Sequence, residues 1–84
     1  MQPIHELLNR IHWDPKFGEG RFELAFLDHL EQELVRLPFE QIQFAPGDHY
    51  FFHYLDMDGV AHSVPFHRIK AVYKNGVIIW QRAH

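Results

Sequence analysis

"VPFHRIKAVYKNGVIIWQR", residues Val64 to Arg82, decides how the chain closes and what kind of sheet it builds. Asn75-Gly76 separates two apolar-rich runs, and this dipeptide accepts the positive φ angles of a two-residue hairpin turn. The spacing therefore predicts that Lys74 faces Val77, Tyr73 faces Ile78, Val72 faces Ile79, Ala71 faces Trp80 and Ile69 faces Arg82. Opposite residues share a face. One face should then be core-like, with Ile69, Ala71, Tyr73, Ile78 and Trp80, and with Arg82 and His67 at its open end. The other should carry Arg68, Lys70, Val72, Lys74, Val77, Ile79 and Gln81, a basic ladder read as a solvated face or, alternatively, as a surface contacting a nucleic-acid backbone. Against the latter, the interleaved apolar residues suggest partial cover by another element.

Working outward, "HYFFHYLDMDGVAHSVPF" (49–66) reads as a preceding hairpin closed at Asp58-Gly59. "RFELAFLDH" (21–29) alternates, with Phe22, Leu24 and Phe26 on one face and Glu23, Ala25 and Leu27 on the other, the mark of a strand. Glu33 to Leu37 is read as a further strand. Pro38 to Ile42 is read as a short helical turn with Phe39 and Ile42 inward, and Ala45-Pro46-Gly47-Asp48 as a turn. At the start, Ile4, Leu7, Leu8 and Ile11 form one apolar helical stripe. Pro3 suits the first turn of that helix, and Asp14-Pro15 ends it, because the residue before proline is pushed out of the α region. The expected fold is α+β: an N-terminal helix packed on a curved or barrel-like antiparallel sheet of about five to six strands, with two C-terminal hairpins.

The 84 residues suffice for one domain, 1–84, and the 46% hydrophobic and 15% aromatic content suits an ordered core. The absence of cysteine excludes disulfides and thiolate metal sites and fits a reducing, cytoplasmic setting. No apolar run approaches the ~20 residues of a membrane span, so no membrane association is expected. A net charge of −3 argues against broad, charge-driven binding to nucleic acid. The charge is uneven, however: residues 1–42 hold eight acids and four bases, and residues 43–84 three acids and four bases. Val64 to Arg82 contains no acid at all, so an anion would approach there.

At the open end of the last hairpin, an arginine fork, an imidazole and an indole plane suit a phosphate with a base or sugar beside it. From pattern alone the plainer alternative is favoured: Trp80 is core, Arg82 reaches to water and His67 merely ends a strand. Trp13-Asp14-Pro15 has two readings as well. The indole covers the core while Asp14 bonds nearby backbone or an arginine, or Asp14 orients Arg68 or Arg82 for a ligand. Asp28 offers the same choice between orienting a cation and starting a turn.

"IHELLNRIHWDPKF" near the start, together with "VPFHRIKAVYKNGVIIWQR" at the end, resembles the RNA cyclic-group end-recognition family. The resembling motifs are Trp13-Asp14-Pro15, Asp28-His29, Pro65-Phe66-His67-Arg68-Ile69, Asn75-Gly76 and Trp80-Gln81-Arg82. The resemblance implies a small RNA-binding domain that recognises ends bearing a cyclic or terminal phosphate, beside RNA repair or processing enzymes. The implied contacts are His67, Arg68, Arg82, Trp80, Trp13, Asp14, Asp28 and His29, with no cofactor. His29 stands where the family commonly has arginine, which implies a weaker or pH-dependent contact there.

Catalysis is not expected. The paired His-x-Ser/Thr arrangement of two-histidine phosphoesterases is missing, and no strong nucleophile, glycine-rich phosphate loop or carboxylate cluster is present. A metal-binding domain is an alternative: in a two-residue Asp58-Gly59 hairpin, His53 and His62 are diagonal neighbours on one face, with His49 two-residue periodic with His53. A protein-interaction module docking through the acidic N-terminal half is another.

Overall fold

The computed structural model describes residues 3–28, 30–44, 48 and 50–82. Helix α1 spans Ile4–Trp13 and is followed by strands β1 (Phe22–Asp28) and β2 (Glu33–Pro38), then a 3-10 turn at Phe39–Gln41. Strand β3 (Ile42–Gln43) leads to β4 (Phe51–Leu55) and β5 (Ala61–Pro65). A second 3-10 turn at Phe66–Arg68 precedes β6 (Ile69–Lys74) and β7 (Val77–Gln81). All pairings are antiparallel.

The strands form two sheets, β2-β1-β6-β7 and β3-β4-β5, and not the single curved or barrel-like sheet expected from the sequence. Proline explains the division. Pro38 ends β2 and Pro65 ends β5, and neither has an N–H to continue a ladder. Each is followed by one 3-10 turn that carries the chain from one sheet to the other. The core fills the space between: Leu24, Phe26, Ile69, Val72 and Trp80 from the larger sheet, Ile42, Phe52 and Val64 from the smaller, and Phe66 from the second turn. Phe52 is fully buried, edge-on to Phe26 with ring centres 5.5 Å apart and stacked on Phe66 at 6.3 Å. Such pairs add ~0.5–1.5 kcal/mol each beyond the area they bury.

The apolar stripe of α1 enters this core, with Ile4, Leu7, Leu8 and Ile11 all buried. Trp13 lies two residues beyond Ile11, about 200° around the helix. It therefore points outward and is 70% exposed, rather than covering the core. Asp14 ends the helix from both sides: its N–H donates to the Arg10 carbonyl, and its Oδ1 accepts from the N–H groups of Lys16 (3.1 Å) and Phe17 (3.2 Å).

The closing hairpin begins as its turn dictates, with Asn75 (φ 52°) and Gly76 (φ 84°) both left-handed, Lys74 opposite Val77 and Tyr73 opposite Ile78. The register then shifts. Val72 faces Trp80 and Ala71 faces Gln81, with Ile79 as the extra residue of a bulge. A one-residue slip reverses every later side chain, so Trp80 joins fully buried Val72 on the core face, and Ala71 and Tyr73 turn to the outer one. Of the expected basic ladder, Lys74 is on the covered face, its ammonium 5.4 Å from the Phe17 ring and 5.5 Å from Phe22, while Arg68 belongs to the 3-10 turn and Lys70 is passed over where the β1–β6 register shifts. On the outer face Arg36 pairs with Glu23 at 2.9 Å and lies 3.8 Å over the Tyr73 ring.

The β4–β5 hairpin also differs from expectation. Leu55 faces Ala61, and the Asp56 N–H donates to the Val60 carbonyl, leaving three residues in the loop with Gly59 left-handed at φ 79°. The Asp56 carboxylate selects this longer loop by accepting from the N–H groups of Asp58 and Val60, each at 2.9 Å.

Candidate functional site

His67 and Arg68 lie on the second 3-10 turn rather than in a strand. Their position is fixed from the far end of the chain. The Arg82 Nε donates to the Ile69 carbonyl at 2.9 Å and its Nη2 donates to the Phe66 carbonyl at 3.2 Å. One planar side chain thereby spans the two carbonyls that bracket His67 and Arg68. The Arg82 N–H donates to the Lys70 carbonyl at 2.9 Å, which holds the arginine in line with the sheet. Trp80, 7% exposed, supports the guanidinium 5.1 Å from its ring. Trp80 is therefore core and a support for Arg82, not an open stacking plane.

Among the described residues, the side chains of His67, Arg68 and Lys70 have no hydrogen bond, ion pair or ring contact. They lie together at the Ile69 end of β6 and make up a basic rim. Because Phe26 faces Ile69, the Asp28 end of β1 passes beside this turn. The Asp28 Oδ1 accepts from the N–H groups of Leu30 (2.9 Å) and Glu31 (3.1 Å), so it starts the β1–β2 turn. His29 lies outside the described residues.

A titratable group adjoins this end. The Tyr54 ring packs 5.7 Å from Phe26 and stacks on His62 at 4.9 Å, with 15° between planes. Burial, then the carboxylates of Asp28 and Asp56, push the Tyr54 hydroxyl above its ordinary value of 10.0. The His62 Nε2 is 2.7 Å from the Asp56 carboxylate. That contact, followed by the Val60 N–H, holds the Asp56 carboxyl below its usual 3.8.

His53 faces Ser63, with Nδ1 to Oγ at 2.9 Å, while His62 faces Tyr54, so the longer loop puts the two histidines on opposite faces of the sheet. The diagonal pair expected for a metal does not form. No group of three His, Asp or Glu side chains able to hold a metal ion occurs among the described residues. His49 lies outside them.

Trp13 and Asp14 do not reach the rim. Asp14 serves the turn after α1, with a 3.9 Å approach to Arg10, and it orients neither Arg68 nor Arg82. Trp13 rests edge-on against His12 with ring centres 4.5 Å apart. His12 in turn lines a cleft of about 910 Å³ with Arg21, Phe39, Phe44 and the Asn75-Gly76 turn, at the Lys74 end of β6. The sequence reading missed this cleft, because its residues come from four separated segments and share no motif.

The model of the MJ1316 RNA cyclic group end recognition domain family matches residues 1–82. No curated protein and no solved structure matches the chain at a significant level. With nearly every residue covered, the chain belongs to the RNA cyclic group end recognition domain family.

Proposed function

From this membership and the geometry of the rim, we propose that the domain binds RNA ends carrying a phosphate, including the 2′,3′-cyclic form, without turning them over. His67, Arg68 and the outward N–H groups of Arg82 are the donors. The observation that carries this reading is the Arg82 bridge from Phe66 to Ile69, which fixes the short turn presenting two side chains with no partner among the described residues. A cyclic phosphate has one negative charge and two nonbridging oxygens. The Arg68 fork offers paired donors to those oxygens, and the His67 ring adds a third. Such a site grips one end rather than a tract of backbone, which an acidic protein tolerates, and it suits a module working beside RNA repair or processing enzymes.

Hydrogen bonds to charged groups contribute ~1.5–3 kcal/mol each, so Arg68→Ala should weaken binding of a phosphate-terminated oligonucleotide about 10- to 100-fold. His67→Ala should have a smaller effect in the same direction, with the melting temperature of both variants near that of the wild type. Unchanged affinity in Arg68→Ala would remove the rim from the account. Steady product release from a cyclic-phosphate dinucleotide at substoichiometric protein would replace recognition with catalysis.

A further inference from the structure

The cleft at the Asn75-Gly76 end has a composition unlike the rim. One wall is a run of rings: His12 lies 6.1 Å from Phe44, Phe44 lies 5.9 Å from Phe39, and Phe39 lies 5.7 Å from Phe22, each pair tilted. Phe39 and Phe44 are half-buried and His12 is exposed, so ring surface is open to the cleft. Gly18, Gly20 and Gly76 also line it and contribute main chain without side chains. Two of these glycines are required for reasons of packing or backbone. A Cβ on Gly18 would collide with the Ile11 carbonyl oxygen, and Gly20 has φ +103° with Asn75 only 3.0 Å from where its Cβ would be. The volume of about 910 Å³ falls at the upper end of the range for small-molecule sites, ~300–1,000 Å³.

The charges are close to balanced. Glu23 is paired with Arg36 at 2.9 Å, which leaves one cation, Arg21, and one carboxylate, Glu40; neither side chain has a polar partner among the described residues. An anion gains little in such a place. A planar heterocycle gains stacking area on the ring wall. A carboxylate, which only accepts hydrogen bonds, suits an exocyclic amino group better than uracil, whose single imino N–H is flanked by two carbonyl oxygens that repel it.

We infer that this cleft is a nucleobase pocket, stacking one unpaired base of the bound RNA on Phe39, Phe44 and His12, with Glu40 favouring amino-bearing bases over uracil. This rests on the RNA reading above and adds a second contact to it. Six residues of β6 separate rim from cleft, about 17 Å at strand rise, so the pocketed base lies several nucleotides from the terminal phosphate rather than on it.

The test titrates the full chain with AMP, GMP, UMP and ribose 5-phosphate, following amide shifts and tryptophan emission, to which exposed Trp13 beside His12 reports. The nucleotides should shift the amides of Gly18, Gly20 and Gly76, AMP and GMP more tightly than UMP, while ribose 5-phosphate should leave them unmoved. Phe39→Leu with Phe44→Leu should weaken AMP binding about tenfold, and Glu40→Gln, an exposed change, should erase the preference over UMP. Arg68→Ala, which tests the rim alone, should leave all of these cleft shifts in place. Equal shifts from ribose 5-phosphate and AMP, or nucleotide shifts confined to His67 and Arg68, would overturn the assignment. So would wild-type discrimination against UMP in Glu40→Gln.

Discussion

Replacing Arg82 with glutamine tests the part this side chain plays in holding the turn, apart from its proposed contact with ligand. In the structure its Nε and Nη2 donate to the carbonyls of Ile69 (2.9 Å) and Phe66 (3.2 Å), in a partly buried position against Trp80. Charge-assisted bonds of this kind contribute ~1.5–3 kcal/mol each, and the longer of the two belongs at the low end or below once water can replace it. Together they amount to about 2–3 kcal/mol. For a domain of this size each kcal/mol moves the melting temperature by ~4–8 °C, so Arg82→Gln should melt about 10–20 °C lower by circular dichroism in phosphate-free buffer. Arg82→Lys keeps the charge but not the fork and reaches one carbonyl at most, so it should fall between the two. A glutamine variant melting within about 2 °C of wild type would show that the bridge contributes nothing, and that His67 and Arg68 are not held by it.

Phe52→Ala empties a fully buried site between Phe26 and Phe66, and a loss of ~3–5 kcal/mol in denaturant unfolding is expected. Gly20→Ala forces a left-handed residue against Asn75 and should destabilise by more than ~1 kcal/mol, the opposite sign to the same change at a permissive site, read in the same assay. Asp56 has a carboxyl held below 3.8, so its contribution is fully present above that value and lost as pH falls through the lowered one. The melting-temperature gap between wild type and Asp56→Asn should therefore persist from neutral pH down to 3.8 and close in stronger acid.

The elements legible in the sequence are those set by local pattern. The α1 stripe, the alternation of β1, the 3-10 turn after Pro38 and the left-handed Asn75-Gly76 pair all follow from neighbours a few residues apart. What escaped depends on contacts between distant segments or on ambiguous runs. Val77-Ile78-Ile79 is apolar throughout, so no alternation marks where the bulge falls; only the gain from burying Trp80 beside Val72 selects it. Asp58-Gly59 looks like a two-residue turn until the Asp56 side chain is seen capping Asp58 and Val60. The rim residues His67, Arg68 and Arg82 were named from an incorrect register. The structure brings them together by another route, the Arg82 bridge, which no strand pattern encodes.

The central claim is that the rim reads the chemistry of an RNA end. The direct measurement is a titration of matched oligonucleotides ending in 2′,3′-cyclic phosphate, 3′-phosphate or 3′-hydroxyl, at two salt concentrations, with wild type and Arg68→Ala. The account predicts that phosphate-bearing ends bind the wild type more tightly than the hydroxyl end. It also predicts that Arg68→Ala narrows this difference and lowers the salt slope by about one. Equal, weak binding of all three ends by the wild type would contradict it.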